Sequence, residues 1–155
     1  MEHWQRALTT SITDPKELAD RYPIDAEPLQ PVVKRYPMQI TRYYLGLIKE
    51  PGDPIWRQCV PDPLELKDGN LPLDPLNEEG LSPVPMVIHR YPDRVVLLVS
   101  SACATLCRFC MRKWRVKGQG LNAANPIEAA LKYIERTYAI RDVILSGGDP
   151  LLLFD

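Results

Sequence analysis

The sequence lacks a long hydrophobic run and an excess of charge of either sign. No stretch of 18 apolar residues occurs in the 155-residue chain, which excludes a transmembrane helix. The 19 basic and 20 acidic residues give a formal net charge of −1, which argues against a generally basic nucleic-acid-binding protein. Internal repeats and low-complexity tracts are also missing. The 45% of apolar and 25% of charged residues are typical of one globular domain.

The chain has few cysteines, and most of them lie close together. Three of the four fall within eight residues, as Cys103, Cys107 and Cys110. The N-terminus is polar and carries charged residues, so no signal peptide is expected. Without a secretory signal, such a cluster indicates a metal or redox site rather than a disulfide framework. These features predict a cytoplasmic protein.

Proline divides the chain into two regions. Fourteen of the 16 prolines precede residue 93, and the overall share is roughly twice the usual one. We predict a helical and proline-rich region over residues 1–92 and a regular α/β region over residues 93–155. Capping residues and helical spacing predict short helices in the first region, near residues 15–21, 25–36, 38–49 and 54–59. Residues 61–92 are expected to form an extended strap over a core.

The second region follows the pattern strand, loop, helix, strand. The apolar run Val95–Val99 predicts a strand buried on both faces. Asn125 is a plausible helix cap, followed by an amphipathic helix to about residue 137. Residues 142–146 predict a second buried strand, which Gly147 and Gly148 end. The pattern is a βαβ unit with a right-handed crossover.

The three clustered cysteines form the motif C-x3-C-x2-C directly after the first predicted strand. Three thiolates on one short loop can hold three corners of a four-iron cluster, which leaves one iron open to a small molecule. A structural zinc site is the alternative. Such a site is normally closed by four ligands, so Cys59 or His89 would have to supply the fourth. A single three-cysteine loop is an unusual zinc arrangement, and the motif favours the iron–sulfur cluster.

The motif, with Phe109 directly before its third cysteine, resembles the signature of the radical S-adenosylmethionine (SAM) enzymes. Other segments are similar to lysine 2,3-aminomutase and its relatives: SPVPMVIHRYPDR (82–94), CRFCMRK (107–113), LSGGDPLL (145–152) and the upstream ITRYYLGLI and DPIWRQCVP. The resemblance covers roughly residues 10–155. It implies a helical and extended N-terminal region, followed by the first βαβ unit of a (β/α)6 partial barrel.

The resemblance assigns residues to two cofactors. Cys103, Cys107 and Cys110 would ligate a [4Fe-4S] cluster whose open iron binds SAM. The residues implied to contact SAM are Phe109, near the adenine, and Gly147, Gly148 and Asp149, around the methionine amino group. Glycines let the backbone approach a ligand, and a carboxylate can accept from an ammonium. Asp149 could instead cap the next helix.

A third cofactor and the substrate involve basic residues. Arg90, Tyr91 and Arg94 match positions that hold the phosphate of pyridoxal 5'-phosphate (PLP), and two guanidinium forks suit a dianionic phosphate. Taken alone, these arginines would be surface residues beside a Tyr-Pro turn. Arg112 matches the residue that pairs with the substrate α-carboxylate. The short basic run over 108–117 could bind nucleic acid, which the neutral overall charge disfavours.

The implied activity is that of an isomerase, a 2,3-aminomutase moving an amino group from the α to the β carbon of an amino acid. Lysine is the first choice of substrate, with glutamate, arginine and a protein-bound lysine as alternatives. Reductive cleavage of SAM would give a deoxyadenosyl radical that removes a hydrogen from the PLP-bound amino acid. A flavodoxin or ferredoxin would donate the electron, and a homo-oligomer is possible. A non-catalytic iron–sulfur or zinc module is the alternative of another class.

The chain stops at Asp155, soon after the second predicted strand. Most of the implied barrel, and the downstream lysine that binds PLP in the family, would lie beyond it. We therefore expect an N-terminal fragment that contains no catalytic residue and is inactive alone. The strand over residues 142–146 is expected to be an uncovered apolar edge, which invites pairing and aggregation.

Overall fold

The computed structural model describes residues 3–67, 69, 71–115 and 126–153. Within these ranges the chain forms short helices and a three-stranded sheet, which confirms the mixed α/β class. Contacts divide the chain into two compact units, Met1–Leu71 with Ala104–Lys113 and Pro72–Cys103 with Trp114–Asp155. The predicted division into residues 1–92 and 93–155 stays a prediction.

Short helices make up the first unit. They are α1 (His3–Thr9), α2 (Lys16–Ala19), α3 (Gln30–Arg35), α4 (Arg42–Gly46) and α5 (Pro54–Cys59). Single turns of 3₁₀ helix add Glu27–Leu29 and Pro63–Leu66. The helix expected over 54–59 is confirmed, because the Asp53 carboxylate accepts from the amide of Trp56 at 2.7 Å and caps α5.

The helix expected over 38–49 is wrong in its extent. Ile40 is extended and pairs with Ile12 in an isolated β-bridge, with N–O distances of 2.8 and 3.0 Å. The Thr41 hydroxyl then accepts from the amide of Tyr44 at 3.2 Å and starts α4. The segment that has helical apolar spacing therefore forms a β-bridge at Ile40, followed by a capped, one-turn helix.

The core of the first unit lies between these helices and the bridge. Its most buried side chains are those of Ile12, Leu18, Met38, Ile40, Leu45 and Cys59. Burial of such side chains contributes roughly 1.5–3 kcal/mol each for the large aliphatic ones. Side chains from both α4 (Leu45) and α5 (Cys59) belong to this cluster.

The second unit contains the sheet. Its elements are β1 (Val87–Tyr91), β2 (Arg94–Ser100), α6 (Pro126–Arg136), β3 (Asp142–Gly147) and a 3₁₀ turn, Pro150–Leu152. The strand order is β1-β2-β3, with β1 antiparallel to β2 and β2 parallel to β3. The two predicted strands and the helix between them are confirmed, together with their parallel pairing. The predicted cap, Asn125, lies outside the described residues.

Strand β1 corrects the expectation of a strap without regular structure up to residue 92. Val87 pairs with Leu97 and Tyr91 pairs with Arg94, so β1 and β2 form a hairpin. Prolines precede and follow the strand, so the sequence gives no clear strand signal there. Only Val87 and Ile88 of β1 are buried in the core. A short strand with one buried end has no clear alternation to detect.

Strand β3 leaves much of its apolar surface uncovered. Val143, Ile144 and Leu145 are 41%, 53% and 58% exposed. The expectation of a buried strand over residues 142–146 is therefore wrong as to burial, whereas the expected uncovered apolar edge is observed. The core of this unit lies instead among β1, β2 and Ala130 of α6. In the described part of the chain, the helices are all too short or too polar to cross a bilayer.

Candidate functional site

We call residues 103–113 the cysteine loop. Its segment Ala104–Lys113 carries the last two clustered cysteines and packs within the first unit. Two backbone hydrogen bonds fix its course. The amide of Leu106 donates to the carbonyl of Gln39 at 3.0 Å, and the amide of Arg108 donates to the carbonyl of Gln58 at 2.8 Å. The loop is therefore attached on both sides of Cys107.

Arg108 is the buried anchor of this loop. Its Nε and Nη2 donate to the two carboxylate oxygens of Glu65 at 3.0 and 2.8 Å. Its Nη1 donates to the carbonyl of Pro37 at 2.9 Å, and its Nη2 also donates to that of Tyr36 at 3.3 Å. The Arg108 side chain is only 7% exposed. Such a two-pronged pair fixes geometry as well as charge.

Glu65 is held in its ionised form by this arrangement. Burial alone would raise its pKa, but the hydrogen bonds from Arg108 and the amide of Asp62, with the charges of Arg108 and Lys113, keep the pKa below its ordinary value. Lys113 Nζ lies 3.4 Å from Glu65 Oε2 and 4.2 Å from the centre of the Tyr36 ring. Arg108 and Lys113, two of the three basic residues in this segment, therefore converge on one carboxylate.

Cys107 and Cys110 form no disulfide. The amide of Cys110 donates to the carbonyl of Cys107 at 3.2 Å, which makes a tight turn. The amide of Arg112 donates to the sulfur of Cys110 at 3.4 Å. Amide-to-sulfur bonds of this kind favour a thiolate and tune iron–sulfur clusters. Partial desolvation and the neighbouring Cys110 raise the pKa of Cys107.

Cys59 has a different environment. It is fully buried in the core of the first unit, and its thiol donates to the carbonyl of Ile55 at 3.3 Å, one turn earlier on α5. Burial, then the charges of Asp53 and Cys107, raise its pKa to about 12. A neutral core thiol is a poor metal ligand, because thiolates bind metals.

Among the residues that the structure describes, no three Cys, His, Asp or Glu side chains stand together as a metal-binding group. Cys103 belongs to the second unit, whereas Cys107 and Cys110 belong to the first. The donor set nevertheless suits iron, because all three residues are cysteines that form no disulfide with one another. An amide already points at one of the sulfurs.

The Gly-Gly segment at the end of β3 lies against the chain that leads into Cys103. The amide of Gly148 donates to the carbonyl of Ser100 at 2.6 Å. A Cβ on Gly147, whose φ is +114°, would lie 2.2 Å from that carbonyl oxygen, and one on Gly148 would lie 2.2 Å from the carbonyl oxygen of Ala102. Both positions therefore need glycine for close backbone approach.

Asp149 takes part in the same junction. Its amide donates to the carbonyl of Ala102 at 2.7 Å. Its Oδ1 accepts from the amide of Leu151 at 3.0 Å and caps the 3₁₀ turn. The simpler expectation for Asp149, a helix cap, is thus observed. The structure brings Gly147, Gly148 and Asp149 together beside the start of the cysteine loop.

The residues predicted for the phosphate lie at the β1–β2 hairpin. Arg94 pairs with Tyr91 across the hairpin, and both are half exposed or more. Arg94 donates through Nε and Nη2 to the two oxygens of Asp93, each at 3.0 Å, and Arg141 Nη2 lies 2.8 Å from Asp93 Oδ2. The guanidinium groups of Arg94 and Arg141 hold the pKa of Asp93 far below its ordinary value. Arg90 is exposed on β1.

The other predicted residues belong to the first unit. Phe109 is 68% exposed, so its ring is available to stack on a ligand. Arg112 is half buried, two residues after Cys110. Sequence reasoning missed the anchoring role of Arg108, which counted only as part of a basic run. It also missed Arg141 as a partner of the hairpin turn, since the two are distant in sequence.

No protein-family model matches the sequence. Curated proteins do match it along nearly its whole length. The L-lysine 2,3-aminomutases of Acetoanaerobium sticklandii and Clostridium subterminale are each 42% identical over 98% of this chain. The glutamate 2,3-aminomutase of Clostridioides difficile is 34% identical over 98% of the chain.

The chain is shorter than these relatives. It spans 38% of the length of the A. sticklandii and C. subterminale proteins and 37% of the C. difficile protein. The matches nevertheless run through the cysteine loop, the hairpin and the Gly-Gly segment alike, because they cover almost every residue of the chain. The chain therefore belongs to the lysine 2,3-aminomutase family.

Proposed function

We propose that this chain is part of a 2,3-aminomutase that moves an amino group from the α to the β carbon of a free amino acid, with lysine as the substrate. The names of the relatives support both the reaction and the choice of lysine over glutamate. The cysteine loop, with its buried anchor Arg108 and an amide directed at the sulfur of Cys110, carries the proposal. Because the chain spans 38% of its relatives, the activity is proposed for a protein of their length.

In this proposal Cys103, Cys107 and Cys110 ligate a [4Fe-4S] cluster. When bound, the cluster and SAM supply a carbon radical, and PLP supplies an electron-delocalising group for the substrate nitrogen. The protein orders the three thiolates, and binding completes the site, as is common for metal sites that are not preformed. Anchoring of the loop by Arg108 limits how far two of the thiolates can move.

The end of β3 would hold SAM. Gly147 and Gly148 let the backbone pass close to residues 100–102, which lead into Cys103. Asp149 uses Oδ1 to cap the following turn, and its carboxylate charge can also attract the ammonium of SAM. Phe109 offers an exposed ring for the adenine.

The hairpin would hold the phosphate of PLP. Arg90, Tyr91 and Arg94 supply two guanidinium groups and a phenol. Arg94 is bound to Asp93, so a phosphate has to share or replace that carboxylate. Arg141 also forms an ion pair with Asp93, so the Asp93 carboxylate would keep a partner if Arg94 bound a phosphate instead.

Arg112 would bind the α-carboxylate of the substrate through its guanidinium fork. The finer assignments belong to the same proposal: a first βαβ unit of a radical SAM (β/α)6 partial barrel, a cytoplasmic location, a flavodoxin or ferredoxin as electron donor, and a homo-oligomer. The parallel pairing of β2 with β3, with α6 between them in sequence, supports the barrel assignment.

The test is amino migration by a full-length protein that carries this chain. The protein is loaded anaerobically with iron and sulfide and given SAM, PLP, a reductant and lysine. We expect β-lysine with the wild-type sequence and none with Cys107→Ala. Cluster binding and SAM cleavage without any β-amino acid from lysine, glutamate or arginine would contradict the aminomutase proposal and favour a different reaction. Failure to bind iron would contradict the cluster assignment on which the aminomutase proposal depends.

A further inference from the structure

Gln58, on the last turn of α5, is attached at two points in the first unit. Its backbone carbonyl accepts from the amide of Arg108 at 2.8 Å. Its side-chain Oε1 accepts from the phenol of Tyr44, on α4, at 2.7 Å. The peptide unit that joins Cys107 to Arg108 is therefore connected through Gln58 to a tyrosine that is distant in sequence.

Tyr44 is well suited to hold this connection. It is half buried, and its phenol donates to Gln58 Oε1 at 2.7 Å. The hydrogen bond between the Tyr44 phenol and the Gln58 side-chain amide is short and partly shielded from water, so it fixes the orientation of both groups. Removal of either group leaves the other without its hydrogen-bond partner, which is costly in a partly buried position. The neighbouring Tyr43 is 76% exposed and offers a matched comparison.

Because the Arg108 amide follows Cys107 directly, the position of the Gln58 carbonyl sets the orientation of the Cys107 peptide. We propose that Tyr44 and Gln58 are positioning residues for Cys107, and that they act on the cluster through the backbone of the loop. This inference rests on the proposed function for its consequence, but its geometric part concerns the chain alone. It is separate from the Arg108–Glu65 pair, which acts through the side chain.

The first experiment needs no cluster. In the metal-free full chain, the rate of alkylation of Cys107 by iodoacetamide is measured by mass spectrometry relative to that of Cys103. Tyr44→Phe removes only the hydroxyl, and we expect it to raise this ratio about fivefold, the factor for one ordinary hydrogen bond. Tyr43→Phe is expected to leave the ratio unchanged. An unchanged ratio in Tyr44→Phe, with native circular dichroism, would overturn the inference.

The second experiment uses the reconstituted chain. We expect Tyr44→Phe to change the electron paramagnetic resonance spectrum of the reduced cluster and to speed cluster loss to a chelator about fivefold. Gln58→Leu should act similarly, and the double variant should add nothing to the larger single effect, since the two side chains form one bond. Additive effects, or a spectrum identical to that of Tyr43→Phe, would overturn the inference. If the wild type binds no iron, the proposed function fails, and the alkylation ratio still decides the geometric part.

Discussion

Arg108 donates to both carboxylate oxygens of Glu65, at 3.0 and 2.8 Å, across 43 residues of sequence. The two side chains are 7% and 12% exposed, so the pair lies almost entirely inside the first unit. One partner belongs to the cysteine loop and the other to the 3₁₀ turn Pro63–Leu66. The loop proposed to hold a cluster is therefore attached to the N-terminal helices by a buried ion pair.

We expect loss of one partner of this pair to be costly. Glu65→Gln or Arg108→Met leaves the other charge buried without its counter-ion, which costs about 3–5 kcal/mol of unfolding free energy. The free energy of unfolding of each variant is measured by denaturant titration. The exposed pair between Arg42 and Glu17 is the control, and Glu17→Gln should cost less than about 1 kcal/mol. Equal effects of the two substitutions would show that the buried pair has no special role.

The same carboxylate gives a pH dependence. Because the pKa of Glu65 is lowered in the folded chain, its contribution is fully present above the ordinary value of 4.5 and is lost as the pH falls through the lowered folded value. We expect Glu65→Gln to flatten the fall of stability between neutral pH and this acid range. The free energy of unfolding is measured against pH for the wild type, Glu65→Gln and Glu17→Gln. Parallel curves for the wild type and Glu65→Gln would contradict the assignment.

Gly148 gives a steric prediction. An added Cβ would lie 2.2 Å from the carbonyl oxygen of Ala102, so Gly148→Ala has to displace the backbone before Cys103 or the end of β3. We expect a loss of about 1–3 kcal/mol or more. Gly46→Ala in α4 has open space at the new methyl group and should be neutral or stabilising by about 0.5–1 kcal/mol. Thermal unfolding of the two variants distinguishes the outcomes, and a neutral Gly148→Ala would refute the close approach.

Arg112 should act on the substrate and not on folding. In a full-length protein, Arg112→Lys keeps the charge but loses the planar fork, which costs about 1.5–3 kcal/mol in substrate binding. We expect KM for lysine to rise while iron content and SAM cleavage stay near normal. Arg136→Lys, at an exposed site on α6, is the control. Loss of iron in Arg112→Lys would make the residue structural instead.

The elements predicted best are those whose signal is local. Val95–Val99 is an apolar run rich in β-branched residues, and residues 143–145 form a second such run. The amphipathic spacing of α6 is regular, so the sequence predicts both strands and the helix. Strand β1 was missed, because prolines border it and only Val87 and Ile88 are buried. The bridge between Ile12 and Ile40 was missed since it joins two segments that show no strand pattern.

In the candidate site, too, some features can be predicted from the sequence and others depend on the fold. The cysteine spacing and the Gly-Gly-Asp segment are visible in the sequence, and the structure brings the latter beside residues 100–102. Burial depth is not visible there. Arg108 has the same charge as its basic neighbours, and only the fold shows that it meets Glu65. The sequence indicates the Tyr-Pro turn beside Asp93 and Arg94, but not strand β1, which makes that turn part of a hairpin.

The central claim is that the cysteine loop binds a [4Fe-4S] cluster, and iron counting in cysteine variants tests it most directly. The chain, Cys59→Ala and Cys107→Ala are reconstituted anaerobically with iron and sulfide, and iron, sulfide and the Mössbauer spectrum are measured. We expect four iron atoms per chain as a [4Fe-4S] cluster in the wild type, because three thiolates with one open iron suit that cluster type. Cys59→Ala should match the wild type, since Cys59 is a buried, protonated core thiol, and Cys107→Ala should lose the cluster. No cluster in the wild type, or equal loss in Cys59→Ala and Cys107→Ala, would contradict the account.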